Sequence, residues 1–218
     1  MIQLTTAGAV CPDDVNVLRD EFQRQHSVRL PGVIHPELIQ MVSSRLERTN
    51  WIPRDHGEIG RESAPEDLGL EHLLNFVVNT PQFLELISGI TQCPGIVCFE
   101  GRVYRMLSDS EHYDTWHSDT GGDDRLVGMS INLGARPYCG GVFRLRGRPS
   151  EELVCELPNT GQGDAILFRI SRHLEHRVTS VEGTEPKTAF AGWFKSGPGH
   201  FYSMISTRPA ARAGEIHV

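Results

Sequence analysis

His117-Ser118-Asp119, Gly140-Gly141-Val142-Phe143-Arg144-Leu145, Gly163-Asp164-Ala165-Ile166-Leu167-Phe168, His176-Arg177-Val178-Thr179-Ser180-Val181 and Lys187-Thr188-Ala189-Phe190-Ala191-Gly192-Trp193-Phe194 follow one another in this order, and they decide how the chain reads. The runs after the first are short and apolar-rich, with Gly, Asp, Pro or Ser between them, as in strands joined by tight turns. Ile96–Met106, Leu126–Leu133 and Leu153–Leu157 share this texture, beside Val142–Leu145, Ala165–Ile170, Arg177–Val181 and Thr188–Phe194. So many short strands at close spacing predict a sandwich or a barrel that closes on itself.

Upstream of Gly95 the texture changes. Pro12-Asp13-Asp14 reads as an acidic helix start, followed by Val15, Leu18 and Phe22 at helical spacing. Val28–Ile34 is a short strand or turn. A second helix opens at Pro36-Glu37, with Leu38, Met41, Val42 and Leu46 as its buried stripe. Residues 52–68, with Pro53, Gly57, Gly60, Pro65 and many charges, read as a polar loop. Leu70 to Ile90 reads as helical with a break at Thr80-Pro81. Helices followed by strands, without βαβ alternation, give an α+β class. One domain of 1–218 is expected: a helix-rich support over 1–94, a β core over 95–195, and a tail over 196–218 that is a flexible end or a lid.

Composition narrows the function classes. A chain of 218 residues can bury a substantial core. With 21 Lys+Arg against 28 Asp+Glu, a net charge of −7 and no basic run, it is not built to seek nucleic-acid phosphates. No apolar stretch approaches the roughly 18 to 20 residues needed to cross a bilayer. Met1–Thr5 has neither the basic nor the apolar region of a secretory signal. Five Cys without C-x-x-C spacing suit a reducing cytoplasm. Ten His remain to be explained.

H-x-[DE] in an extended segment places an imidazole and a carboxylate on one face, where they can share a metal ion. A further His from another strand completes a 2-His-1-carboxylate triad that leaves iron positions open. The pair alone is common: about one or two are due by chance in such a composition. This chain has five, His35/Glu37, His56/Glu58, His112/Asp114, His117/Asp119 and His173/Glu175. His35/Glu37 opens a helix, and His56/Glu58 falls in the polar loop. His117/Asp119 follows a long strand and precedes the turn Thr120-Gly121-Gly122-Asp123-Asp124.

From His117 to Trp193 the order of motifs resembles the iron(II)- and 2-oxoglutarate-dependent dioxygenase superfamily, in particular its prolyl 4-hydroxylase-like branch. That family carries H-x-D, a Gly-Gly strand, a Gly-Asp strand, a distal His opening H-x-V-x-x-V, and then a Lys or Arg with a Trp beyond it. The likeness covers 95–195 and extends more loosely to Phe22–Leu46. It implies a double-stranded β-helix, jelly-roll or cupin-like, with supporting N-terminal helices. It also implies Fe(II) held by His117, Asp119 and His176, with 2-oxoglutarate as cosubstrate, O2, and ascorbate as an accessory reductant. His117/Asp119 is preferred over His112/Asp114 because the loop after Asp119 has the family's length. His176 is preferred over His173 because Val178 and Val181 fall in the family's places and Lys187 follows eleven residues on. His173 is then a loop residue or a neighbour of the ligands.

The far carboxylate of 2-oxoglutarate needs a cation. Strand alternation puts Lys187, Ala189, Ala191 and Trp193 on one face, where small alanines leave room for a ligand beside the lysine. An exposed edge lysine is the plainer role for such a residue. Tyr104 matches the family's cosubstrate-bonding tyrosine, and Asn132 falls where relatives place another polar contact. An inward polar residue in a strand is equally accounted for by a core hydrogen bond. Tyr113 and Trp116 flank the metal motif and either meet substrate or pack its rim.

The implied activity is oxidative decarboxylation of 2-oxoglutarate to succinate, coupled to hydroxylation of a C–H bond. The substrate would be amino-acid-like, peptidyl (for example prolyl) or a natural product. Related halogenases replace the carboxylate ligand by a small residue, so Asp119 points to hydroxylation or another oxidative outcome. The alternatives are a cupin-like metal-dependent dioxygenase or isomerase without 2-oxoglutarate, and a non-catalytic jelly roll. A small-molecule or peptide partner is expected, with no nucleic acid and no membrane. Specificity is expected in the 52–68 and 107–116 loops and the tail.

Overall fold

The computed structural model describes residues 2–12, 14–108, 111–121, 124–158 and 161–197. Its elements are β1 (Gln3–Thr5), β2 (Gly8–Val10), α1 (Asn16–Gln25), β3 (Ser27–Leu30), α2 (Pro36–Leu46), β4 (Trp51–Asp55), β5 (Gly60–Pro65), α3 (Leu68–Val78) and α4 (Pro81–Thr91). Then come β6 (Cys98–Met106), β7 (Tyr113–Asp114), β8 (Arg125–Asn132), β9 (Cys139–Gly140), β10 (Phe143–Gly147) and β11 (Leu153–Leu157). The last are β12 (Ala165–Arg169), β13 (Leu174–Val178), β14 (Val181–Glu182) and β15 (Lys187–Lys195).

A large antiparallel sheet runs β3-β12-β8-β15-β6-β5-β4, with β7 added on β5, and a smaller one runs β11-β10-β13. Alternation sorts the large sheet's side chains. Phe99, Val103, Ile131, Leu167, Phe190 and Phe194 face outward into one buried cluster with the helices' Leu74, Val78, Phe83 and Ile87. The opposite face looks toward the smaller sheet. Phe143, Leu145, Ile166, Phe168 and Leu174 form a second cluster there, bridging the two sheets. This is the double-stranded β-helix of the α+β class, with helices against one side.

Local chemistry explains where the helices begin. His35 caps α2, its side chain accepting the Glu37 N–H at 3.4 Å, and Pro36 stands at the first position. Asp67 caps α3 through Leu70 N at 3.3 Å, and Pro81 opens α4 directly behind the expected break. Helix α3 also does work usually left to a strand. Glu71, Asn75 and Asn79 lie four apart, on one helical face. They bond the β6 edge: Glu71 Oε1 accepts from Val103 N at 3.0 Å, and Asn75 takes both the N–H and C=O of Gly101 at 2.9 and 2.8 Å. Asn79 does the same for Phe99 at 2.7 and 2.9 Å. Buried main-chain groups with no strand beside them are thereby satisfied.

Several expectations are corrected. Residues 52–68 are not a loop: Trp51–Asp55 and Gly60–Pro65 pair as a hairpin joined to the large sheet through Ser63 and Arg105. The support region is therefore partly β, since β3 and this hairpin both extend the sheet. Met41 is 45% exposed, and Leu38, Val42 and Leu46 alone form the buried stripe of α2. The loop 107–115 contains β7, paired with β5. The strand expected over Arg177–Val181 begins earlier, at Leu174, and breaks after Val178, where Thr179 N and Gly141 N turn to Val142 O and Ser180 O. Helix α1 starts at Asn16, later than Pro12. The expected tail falls almost wholly beyond the described residues. Among those described, no helix is long and apolar enough to cross a membrane.

Candidate metal centre and cavity

His117 and His176 face each other across an antiparallel bridge: His117 N donates to His176 O at 3.1 Å, and His176 N returns to His117 O at 2.9 Å. The first lies just before the Asp119 turn, the second in the middle of β13, opposite Leu145 of β10. Asp119 adopts a left-handed backbone, φ 56°, which aims its carboxylate back at both rings. Asp tolerates this conformation better than most residues, and such local strain gathers at functional sites.

One ligand atom from each of His117, Asp119 and His176 lies within 4.8 Å of the others. His117 Nε2 is 3.6 Å from Asp119 Oδ1, and His176 Nε2 is 3.4 Å from Asp119 Oδ2. His117 Nδ1 sits 2.7 Å from Thr115 O. A carbonyl only accepts, so Nδ1 carries the proton and Nε2 keeps its lone pair for a metal. Trp193 Nε1 donates to Asp119 Oδ2 at 2.7 Å. Burial pushes the Asp119 carboxyl up, but His176, the Trp193 N–H and His117 outweigh it and hold the group well below the usual carboxylate range.

Aromatic rings hold the second histidine. The Phe168 and Phe143 ring centroids lie 4.5 and 5.8 Å from that of His176. Phe168 reaches it over Gly128, its register partner on β8, where a Cβ would stand 2.0 Å from the Phe168 ring. The triad thus opens on a cavity of about 290 Å³ between the sheets.

Further along the cavity wall Lys187 is 2% exposed. Its Nζ donates to Tyr138 Oη at 3.2 Å and Gly141 O at 3.1 Å, and no carboxylate pairs with it among the described residues. Gly141 is needed there: its φ is +59°, and a Cβ would meet the Tyr138 ring at 2.8 Å and Lys187 Cδ at 3.2 Å. Burial pushes the Lys187 amine down to about 8, with Asp114 pulling the other way. Tyr104 lines the same cavity, and burial raises its hydroxyl, which stays a donor. Ser130 Oγ, opposite Ala191 on β15, is buried without a well-aligned hydrogen bond; it lies beside the Tyr104 hydroxyl, whose ionised form it favours against burial.

Asn132 departs from expectation. It is fully buried, but its amide donates to Gly161 O at 3.0 Å and its carbonyl accepts from Gly134 N at 3.0 Å, so it ties two turns together and does not line the cavity. Alternation identified the face; Ser130, two residues along it, is the one that lines the cavity. The structure splits the rival pair His112/Asp114. His112 Nδ1 accepts Leu107 N–H at 2.8 Å, whereas Asp114 does line the cavity, 3.4 Å from His117 Nδ1, and accepts from Val178 N at 2.7 Å. Burial raises its carboxyl against the pull of His117. His173 lies in an exposed turn, its N–H on Ser171 Oγ. Trp116 packs at the rim under the guanidiniums of Arg146 and Arg177, and Tyr113 lines the cavity while donating to Gly57 O at 2.6 Å. His56, Glu62 and Arg102 also line it, unforeseen because the hairpin that carries two of them reads as a loop.

Comparison with known proteins gives the same direction as the motifs. Residues 101–195 match the model of the 2OG-Fe(II) oxygenase superfamily, whose members use Fe(II), 2-oxoglutarate and O2. A search of curated proteins gave no match. Among solved structures, an oxidoreductase of the 2OG-Fe(II) oxygenase family from Burkholderia pseudomallei superposes with a TM-score of 0.64 at 15% identity, over 88% of this chain and 96% of that one. A prolyl-4-hydroxylase from Pseudomonas putida gives 0.60 at 14% identity, over 84% and 99%. A prolyl hydroxylase from Trichoplax adhaerens, in complex with a hypoxia inducible factor peptide fragment, gives 0.58 at 15% identity, over 89% and 93%. The fold is the one these oxygenases share.

Proposed function

We propose that this chain is an Fe(II)- and 2-oxoglutarate-dependent oxygenase, decarboxylating 2-oxoglutarate to succinate while hydroxylating a C–H bond of an amino-acid-like, prolyl or other compact substrate. The observation that carries the reading is a pairing within one cavity: a convergent His117/Asp119/His176 donor set, and a buried, carboxylate-free Lys187 beyond it.

The donor set suits Fe(II), since two neutral imidazoles and one carboxylate on one side leave the remaining positions to ligands. Bound there, the iron would supply dioxygen activation and oxidation of the keto acid. The chain's own groups do the rest. Thr115 O fixes the His117 tautomer, and Trp193 N–H keeps Asp119 ionised and aimed. Lys187 would take the far carboxylate of the cosubstrate, exchanging two neutral acceptors for an anion. Tyr104 and Ser130 Oγ stand beside that path as donors. Phe143, Ile166 and Phe168 keep water from the triad.

Succinate formation dependent on both Fe(II) and 2-oxoglutarate tests the reading. Metal-loaded protein that consumes no 2-oxoglutarate would favour a cupin-like enzyme or a binding protein instead.

A further inference from the structure

Two guanidiniums line the cavity beside the triad. Arg125 Cζ lies 3.6 Å from the Trp193 ring centroid and Arg102 Cζ 5.9 Å from it. Because Trp193 is bonded to Asp119, both cations are tied to the metal centre through one rigid ring. Arg125 spends Nη1 on Asp119 O at 3.3 Å, and Arg102 spends Nε on Glu62 Oε1 at 2.9 Å and sets Nη2 3.4 Å from His56 Nε2. Arg125 Nη1 also stands 3.6 Å from Asp119 Oδ1, which leaves its Nη2 and Nε and the Arg102 Nη1 without a partner among the described residues.

Glu62 is 8% exposed, and besides Arg102 it answers His56 at 3.1 Å and Arg54 at 3.6 Å, the last shared with Glu71 at 3.8 Å. The whole cavity is lined by four Lys/Arg against three Asp/Glu, inside a chain of net charge −7. One of the four, Arg61, is already paired at 2.9 Å with Asp55, which lies outside the lining, so what remains for a substrate is the donors that Arg102 and Arg125 present and not a surplus of charge. Guanidinium presents paired donors that match a planar carboxylate. The cavity volume, about 290 Å³, stands at the lower end of the roughly 300 to 1,000 Å³ of ligand pockets, and it must also hold the cosubstrate.

Resting on the oxygenase reading, we infer that the substrate is a small free carboxylic acid of amino-acid size, its carboxylate received by Arg102 and Arg125 against Trp193. Glu62 and His56 act as positioning residues that turn the Arg102 guanidinium toward the cavity.

The test is anaerobic equilibrium dialysis of protein saturated with Fe(II) and 2-oxoglutarate. The panel contains the free proteinogenic amino acids, their primary amides, and phosphate monoesters of similar size. The visible absorption of the iron–2-oxoglutarate chelate is recorded in parallel. At least one free acid should bind, with its amide weaker by tenfold or more. Arg102→Gln should abolish that discrimination while leaving the chelate band and the melting temperature in place, and Arg102→Lys, which keeps charge without the fork, should restore part of it. Equal binding of acids and amides, discrimination surviving in Arg102→Gln, binding of phosphate monoesters alone, or no acid bound would each overturn the inference. A chelate band without acid discrimination sinks this inference alone. Absence of the band in the unaltered protein sinks the oxygenase reading and this inference with it.

Discussion

At the scale of single residues, the two histidines three apart give the sharpest contrast. His176 is buried between two phenylalanine rings with Nε2 toward Asp119, and His173 sits in an exposed turn. Under the proposed function, His176→Ala should lower turnover by at least 10³-fold and His173→Ala by less than twofold, measured as succinate release. Lys187 has a pH signature. With its amine held near 8, it is mostly neutral above that pH, so 2-oxoglutarate should bind up to tenfold more weakly per unit from pH 8 toward pH 10, read as the KM for 2-oxoglutarate. Stability moves the other way. Between about 8 and the ordinary 10.5 the unfolded chain holds the proton and the folded one does not, so the ligand-free protein gains stability as pH rises through that window. The three residues whose donor atoms converge were legible because motif order ranked them. Ser130 was not, because alternation identifies a face but not how far along it the cavity reaches.

Whole elements were legible where periodicity was strong. The α3/α4 break at Pro81 and the central strands β6, β8, β12 and β15 fall within a few residues of expectation. The β4–β5 hairpin was missed because Pro53, Gly57, Gly60 and Pro65 are all loop formers, and the pairing that overrides them is tertiary. With the hairpin went His56 and Glu62, the groups that hold the Arg102 guanidinium. The polar face of α3 carried a signal of another kind: Glu71, Asn75 and Asn79 at four-residue spacing, a helix face turned toward main chain rather than water. Asn75→Ala would leave Gly101 N–H and C=O buried without partners, a loss of roughly 2 to 6 kcal/mol at 1 to 3 kcal/mol per group. Urea unfolding should show that loss with an unchanged m-value, and Asn79→Ala should behave alike. A loss under 0.5 kcal/mol would mean water replaces the amide.

For the molecule as a whole, the site is a product of both sheets. His176 and Phe143 come from the smaller sheet, and Lys187, Tyr104, Ser130 and Phe168 from the larger, which β3, β4 and β5 extend with strands from the first third of the chain. No part of the cavity survives separation of the sheets, and the buried cluster behind the large sheet runs from Ile2 to Phe194. Opening the site therefore means unfolding the protein, and ligand binding must appear in full as global stability. At a hundredfold excess over its dissociation constant a ligand adds about 2.7 kcal/mol. In a chain of this size each kcal/mol moves the melting temperature by roughly 2 to 4 °C. Fe(II) alone should thus raise the melting temperature by about 5 to 11 °C under anaerobic conditions, and EDTA should reverse the gain. 2-Oxoglutarate should add a second increment only when metal is present. His176→Ala should lose both increments, whereas Lys187→Met should keep the first and lose the second. A 2-oxoglutarate increment that persists in Lys187→Met would mean the far carboxylate is bound elsewhere, and the assignment of that buried cation would fall.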